Sequence, residues 1–374
     1  MNILFYTFLF LLLCSIFVYG YFFYPFGLYL LSIFVGRERR FDFGDISQCK
    51  FDVVLSVRDE TSRIKRRIDN LLSLPLSSAI NKVIVIDDGS SDSTSRIVER
   101  YPKGKVVIVK LRSNSGKPFA LNCANIVSRK GIVYYIDARQ VFDQKALVSI
   151  LGALSDARVG AVSGQLLPSK SRHGIGAGID TYWRIERFIR RVESKLGACI
   201  GCTGAMYAVK KKLYQPLPSD TILDDVVTPL EVLKRNFFVK YDIQAIAYDE
   251  QPLTAANESR RKSRTIAGNF QMLFRYPENF SMGFAKSFMY YSHKVSRVLA
   301  PFTLPIIFVM PLLLLHYPVF LYLFYLQLLF YFLVLISFFI KQSFFSKISA
   351  FAFMNLMVFS AFYKFLRGAY RSGW

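Results

Sequence analysis

The sequence predicts an α/β domain carried between membrane-spanning helices, and three observations predict it. Strand-like and helix-like stretches alternate from Phe51 to Ile136; Asn2–Val35 and Leu299–Ile340 hold no charged side chain; and one apolar strand ends abruptly in paired acids within Val83–Asp92. Val and Ile suit a pleated interior, and strand–helix alternation builds a parallel sheet with right-handed crossovers. Uncharged apolar runs of about 20 residues span a bilayer core of about 30 Å.

The first charge-free run lacks the basic start of a signal peptide and outruns its apolar core, which makes residues 1–36 a retained membrane anchor. It is longer than one span and shorter than two, so Pro25 is expected to divide a spanning helix from an interfacial one. Arg37-Glu38-Arg39-Arg40 follow, and the positive-inside tendency then puts the middle domain in the cytosol.

Residues 41–280 form that domain. The pattern reads as strand Phe51–Val57, helix Glu60–Leu74, strand Lys82–Ile86, helix Thr94–Arg100, strand Lys105–Leu111, helix Lys117–Val127 and strand Gly131–Ile136. After strand Val159–Leu167 the alternation loosens, as if a second half completes a site begun by the first. Ile179–Leu196 is an amphipathic helix with Trp183, Phe188 and Val192 inward and Arg184, Arg187, Arg190 and Arg191 on a solvated or lipid-facing surface. Gly201–Lys210 is a glycine-rich turn feeding a strand, Leu223–Lys234 a helix, and Asn257–Phe274 a basic helix along the membrane surface.

An interfacial amphipathic helix over 283–300 follows, with Lys294 and Arg297 on its polar side. Spans over 301–366 form a hairpin broken at His316-Tyr317-Pro318 and a last helix, Ile348–Leu366; residues 367–374 are a basic tail.

Lys plus Arg number 48 against 26 Asp plus Glu, but the basic residues scatter and no nucleic-acid-binding motif accompanies them. That balance fits an anionic lipid surface and argues against a nucleic-acid partner. Cys199-Ile200-Gly201-Cys202 is a lone pair without a second ligand pair, so the five cysteines read as free thiols. His173, His293 and His316 are too isolated for metal or nucleophilic work, and the basic loop Ser169–His173 is either a solvated loop or a gate. Tyr182 and Trp183 fit core packing as well as stacking on a ligand ring.

Four polar groups fall at turns of the α/β domain: Asp87-Asp88-Gly89, Gly116-Lys117, Asp137 and Asp224-Asp225. Singly, each is an ordinary turn former or helix cap. All four in this order beside membrane spans point to one site at the carboxyl edge of the sheet, where open α/β sheets hold nucleotides.

With these motifs the sequence resembles the family 2 glycosyltransferases, in particular the membrane-bound branch of cellulose, chitin and hyaluronan synthases. The resemblance covers about Phe51–Phe274 and implies a GT-A fold, a Rossmann-like nucleotide-diphospho-sugar transferase domain. It implies that Ser56, Glu60, Asp87 and Asp88 hold the nucleoside, that Lys117 lies near the diphosphate, and that Asp137 is the first acid of a D-x-D motif. Gly201-Cys202-Thr203-Gly204 resembles the acceptor loop, and Asp224-Asp225 the T-E-D motif, whose second acid is the base. Arg261 and Arg264 lie in a stretch resembling the Q-x-x-R-W motif, with Thr265 where Trp stacks the growing polymer.

Arg139 stands where the second Asp of D-x-D is expected; it replaces part of a cation's charge instead of binding one. Asp137 with the diphosphate is the expected site of Mg²⁺ or Mn²⁺. The resemblance therefore implies an inverting transferase in the plasma (inner) membrane, passing a sugar from a UDP-sugar to a growing cell-surface polysaccharide, with room for export or accessory subunits. Two alternatives remain open: a transferase adding one sugar to a polyprenyl-phosphate or lipid-linked acceptor, and a nucleotide-binding scaffold that has lost catalysis.

Overall fold

A computed structural model describes residues 3–34, 49–168, 175–249, 255–340 and 342–370; Arg37–Arg40 and the Ser169–His173 loop lie outside them. In the domain, β1 (Phe51–Val57), α3 (Ile64–Ser73), β2 (Ile80–Asp87), α4 (Thr94–Val98), β3 (Val106–Lys110), α5 (Lys117–Val127) and β4 (Ile132–Ile136) alternate as the periodicity predicts. They follow two N-terminal helices, α1 (Ile3–Val18) and α2 (Tyr24–Phe34). Then come β5 (Val141–Phe142), α6 (Ala146–Leu154), β6 (Val159–Pro168), α7 (Ile175–Lys195), β7 (Met206–Lys210), α8 (Asp224–Lys234), β8 (Phe238–Asp249) and α9 (Ala255–Arg275).

Eight strands make one sheet in the order β3-β2-β1-β4-β7-β6-β8-β5. The first four are parallel, and their register aligns the functional ends: Val57 pairs with Asp87 and Leu55 with Ile136. The expectation of a parallel sheet fails at β7, which is antiparallel to both β4 and β6. Met206, at the start of β7, pairs with Ile136, so the chain enters this strand at the carboxyl edge and can only run back across the sheet.

Alternate side chains of each strand go to opposite faces. Val54, Ile84, Ile86, Tyr135 and Tyr207 join the core beneath α5 and α8, whereas Val53, Leu55, Val83, Val85 and Tyr134 pack with α3 and α6. Both faces are covered, which is why these strands read as continuous apolar runs.

Four helical runs among the described residues are long and apolar enough to cross a membrane: Ile3–Phe34, Phe284–Leu313, Pro318–Ser337 and Phe344–Leu366. Two differ from expectation. The first does not break at Pro25; a π turn, Tyr19–Phe23, lets the Tyr24 N–H donate to the Tyr19 carbonyl, and the proline, which has no N–H to place, continues the helix. The second joins the expected interfacial helix and the next span into one run through α10 (Phe284–Tyr290), a second π turn (Tyr291–Val295), α11 (Ser296–Leu299) and α12 (Leu304–Leu313). The final helices are α13 (Pro318–Ser337) and α14 (Ser343–Leu366), and the turn between α12 and α13 falls at His316-Tyr317 as expected.

Candidate active site

A cavity of about 880 Å³ opens at the carboxyl edge of β1 and β4 and continues to the membrane helices. Ser56, Glu60, Lys117, Asp137, Arg139, Cys202, Thr203, Gly204, Asp224, Asp225, Arg261 and Arg264 all line it. Ser56 lies at the end of β1, and its Oγ is buried without a hydrogen-bond partner among the described residues. A buried polar atom of this kind is costly unless a ligand satisfies it.

Asp87, Asp88 and Gly201 are not on the cavity wall. Asp88 is fully buried and accepts the N–H groups of Ser115 (2.7 Å) and Gly116 (2.8 Å). Asp87 accepts the Ser90 N–H at 2.9 Å and the Ser95 hydroxyl. Both carboxylates therefore shape loops; that of Asp88 fixes the turn that delivers Lys117. Gly116 has φ +89°, in the left-handed region that glycine enters without strain, and Lys117 starts α5 directly after it.

Lys117 is the centre of the acidic end. Its ammonium lies 3.0 Å from Asp137 Oδ1 and 3.5 Å from Asp224 Oδ2. Burial works against its charge, but Asp137, Asp224 and Asp225 outweigh that and raise its pKa above the ordinary lysine value. Asp225 accepts the Gly204 N–H at 3.0 Å through Oδ2, and its own carbonyl accepts the Cys202 N–H at 2.7 Å. Burial first, and the like charge of Asp224 second, push the Asp225 carboxyl up, against the pull of Lys117, Arg264 and Arg190. A side chain on Gly204 would meet Asp225 Oδ2, Lys117 Nζ and Asp137 Oδ2 at 3.5–3.7 Å, so the missing Cβ leaves the three groups facing one open volume.

Asp137 is held by its backbone: Arg67, wholly buried and lying 3.7 Å over the Phe142 ring, donates to the Asp137 carbonyl at 3.1 Å. Arg139 turns to Asp249, at the end of β8, at 2.7 Å. Among the described residues no group of three or more His, Cys, Asp or Glu stands together for a metal ion. With Oδ1 committed to Lys117, Asp137 has Oδ2 toward the open volume. One carboxylate oxygen fits a hard cation whose other ligands are phosphate oxygens.

The membrane end of the cavity is basic. Arg187 and Arg190 line it together with Glu186, His293, Lys294 and Arg297, which corrects the expectation that the α7 arginines face only solvent or lipid; Arg184 and Arg191 are the exposed ones. Trp183 also lines the cavity, under the Arg261 guanidinium (4.7 Å) and the Lys262 ammonium (5.4 Å). Sequence reasoning missed Glu186, Glu193, His293 and Asp249. A signal was present for two of them: Glu186 and Glu193 are seven residues apart, two turns along one face of α7. Cys199 and Cys202 are free and buried, as the cysteine pattern suggested.

Residues 52–217 match the family described as glycosyl transferase family 2. That match takes in less than half of the chain, and it is the α/β domain that is similar to the family. The curated relatives that the chain is similar to include poly-beta-1,6-N-acetyl-D-glucosamine synthases. That of Staphylococcus aureus (strain COL) is 25% identical over 59% of this chain and 55% of its own length, and that of Staphylococcus epidermidis is 26% identical over the same shares. The chain thus spans about half the length of the curated relatives it matches. Among solved structures, it is similar to the mannosyltransferase PcManGT of Pyrobaculum calidifontis, determined with GDP-Man and Mn²⁺; the TM-score is 0.74 at 18% identity, covering 96% of this chain and 97% of the other. At that identity the likeness speaks to the fold, which is the GT-A fold with flanking apolar helices.

Proposed function

We propose that the protein is an inverting membrane glycosyltransferase that moves a sugar from a nucleotide-sugar, a UDP-sugar in the reading of the sequence, onto a hydroxyl of a growing cell-surface polysaccharide. The observation that carries this is the single cavity joining the Lys117–Asp137–Asp225 group to the membrane helices. Poly-beta-1,6-N-acetyl-D-glucosamine synthase relatives support the polymer product. Four apolar runs support a multi-pass membrane protein; the plasma (inner) membrane and the cytosolic side of the domain follow the sequence reading, in which Arg37-Glu38-Arg39-Arg40 mark the inner side.

In this reading the nucleoside packs by Ser56 and Glu60, and the diphosphate meets Lys117, Arg261 and Arg264. A cationic, water-poor wall stabilises the charge that develops on a leaving diphosphate. Asp137 would hold a divalent cation, which would add positive charge at the same oxygens. Asp225 takes the proton of the acceptor hydroxyl, whose oxygen bonds to the anomeric carbon as the carbon–oxygen bond to the diphosphate breaks, and the nucleoside diphosphate leaves with the electron pair. A carboxyl raised above its ordinary pKa is a better proton acceptor than an unperturbed one. With one displacement and no second nucleophile, the anomeric configuration inverts.

A second reading, transfer of one sugar to a lipid-linked acceptor, is favoured by α9: Thr265 occupies the place of the polymer-stacking Trp, and its hydroxyl donates to the Arg261 carbonyl at 3.0 Å. Full-length protein in nanodiscs, given radiolabelled UDP- and GDP-sugars, tests both. A large water-soluble or precipitable glycan is the expected product; organic-soluble single-sugar lipid alone would replace the first reading with the second. The scaffold alternative fails if any donor turns over.

A further inference from the structure

Every N–H of the loop Ile200–Gly204 has a partner, and one of those partners is unlike the rest. The Gly201 N–H donates to the Cys199 carbonyl (3.1 Å), that of Cys202 to the Asp225 carbonyl (2.7 Å), that of Thr203 to the Ser163 hydroxyl (2.9 Å) and that of Gly204 to Asp225 Oδ2 (3.0 Å). These acceptors belong to the loop's own approach, to the start of α8 and to β6, all inside the α/β domain. The Ile200 N–H donates instead to Glu193 Oε2 at 3.2 Å, and Glu193 is held from the membrane side. Ile200 is fully buried, where an amide must have its partner, so whatever fixes Glu193 fixes the entry of the loop.

Local chain geometry brings that carboxylate to the loop. α7 ends in a Schellman turn: the Ala198 N–H donates to the Glu193 carbonyl (3.0 Å) and the Gly197 N–H to the Ser194 carbonyl (2.9 Å), with Gly197 at φ +82°. The chain folds back over the last turn of the helix, and Ile200 arrives beside the Glu193 side chain. The other oxygen of that fully buried carboxylate accepts the Tyr24 hydroxyl at 2.7 Å and meets His293 Nδ1 at 2.9 Å. Tyr24 opens α2 directly after the first π turn, and His293 lies within the second. The neighbouring cations are engaged elsewhere: Arg190, Lys294 and Arg297 meet Glu186 at 3.0–3.2 Å, and Arg190 also faces Asp225. A buried carboxylate is costly unless its oxygens are engaged, and losing one partner leaves its charge poorly compensated.

Cys202, Thr203 and Gly204 line the cavity on the side of Asp225. A hydroxyl that gives its proton to Asp225 must lie against them, which makes the loop one wall of the acceptor position. Asp225 and Ser163 hold the far end of the loop from within the domain, so only its entry depends on Glu193.

We infer that Glu193 is a positioning residue for the acceptor: it ties the entry of the Ile200–Gly204 loop to Tyr24 and His293, so that the packing of the first two apolar runs sets the wall against which the acceptor hydroxyl lies. The inference rests on the transferase reading above and adds to it a means by which membrane helices control acceptor fit.

Full-length protein in phosphatidylcholine nanodiscs carries the test, as wild type, Glu193→Gln, Tyr24→Phe and the double variant. Hydrogen exchange read by mass spectrometry should show Ala198–Gly204 losing about tenfold of its protection in each single variant, while the amides of β1 and β2 keep theirs. With whichever labelled nucleotide-sugar turns over and an alkyl glycoside as acceptor, acceptor KM should rise about tenfold in Glu193→Gln and about threefold in Tyr24→Phe, with kcat and calorimetric donor affinity within about twofold. In the double variant the effect of Tyr24→Phe should vanish, because the hydroxyl acts through the carboxylate; independent structural losses would add. Should Glu193→Gln not fold, Tyr24→Phe decides alone. Unchanged loop protection, an unchanged acceptor KM, additive effects, or a loss that falls on kcat would overturn the inference. A protein that turns over no donor removes the transferase reading, and the exchange measurement still decides whether Glu193 holds the loop.

Discussion

The two ends of the cavity are built by different rules. At the sheet end, Ser56, Lys117 and Asp137 sit just after or just inside the first turns that leave parallel strands, and each is placed by its own strand or helix start. At the membrane end, Glu186, His293 and Arg297 come from segments about a hundred residues apart and meet only because two π turns and α7 pack together, with sequence separations of 107 and 111 in their bonds. The sheet end is thus fixed by local chain geometry, the membrane end by helix packing. Substitutions should separate the two: those at the sheet end should strike chemistry, those at the membrane end acceptor binding or assembly.

The largest effect is expected at Asp225. Asp225→Asn keeps size and shape but removes the proposed proton acceptor, and general bases contribute about 10²–10⁴-fold. Single-turnover kinetics should show a loss of that order with donor binding intact. Unchanged turnover would move the base to another group, with Asp224 the next carboxylate in the cavity.

That contrast also explains what the sequence disclosed. The strand–helix alternation from Phe51 to Ile136 was legible because both faces of the sheet are buried and the apolar runs are uninterrupted. Lys117, Asp137 and Asp225 were legible because each stands at an element boundary, where polar side chains are read against apolar neighbours. The role of Asp88 was harder to see: sequence shows an acid after a strand, but not that both its oxygens are taken by Ser115 and Gly116 N–H groups. His293 reads as isolated in the sequence because its partners, Glu186 and Glu193, are remote along the chain. Likewise, no periodicity announces a π turn, so Pro25 read as a break.

Next in size is Lys117→Met. Removing one preorganised charge at a leaving group costs about 10²–10³-fold. The loss should fall on kcat, and it should also leave Asp137, Asp224 and Asp225 without the cation they share. A loss confined to donor KM would instead make Lys117 a binding group only.

The pH dependence sharpens the same point with smaller changes. Asp225 accepts a proton only when ionised, and burial with Asp224 holds its carboxyl above the ordinary range, so kcat should fall as pH drops through a value above the usual carboxylate pKa of about 4. Asp224→Asn removes the like charge and should move that acidic limb to lower pH. Lys117→Met removes an opposing cation and should move the limb to higher pH. Profiles that shift together, or not at all, would detach the limb from Asp225.

The smallest expected effect lies at the membrane end, at Gly20. A Cβ there would overlap the Ser296 hydroxyl and sit 3.1 Å from Arg297 Cγ, so the glycine is what lets the first two spans approach. Small residues serve this purpose between membrane helices, where close backbone packing replaces the hydrophobic drive. Gly20→Val should push the spans apart, at about 1–3 kcal/mol of overpacking, lengthening the Arg297 bond to the Gly20 carbonyl and loosening the hold on Lys294. Because Lys117, Asp137 and Asp225 are placed by strands and helix starts, donor affinity should hardly change. Thermal unfolding in detergent should begin at lower temperature and acceptor KM should rise. If kcat falls as steeply as in Asp225→Asn while acceptor KM stays put, the division between a locally built chemical end and a packing-built acceptor end is wrong.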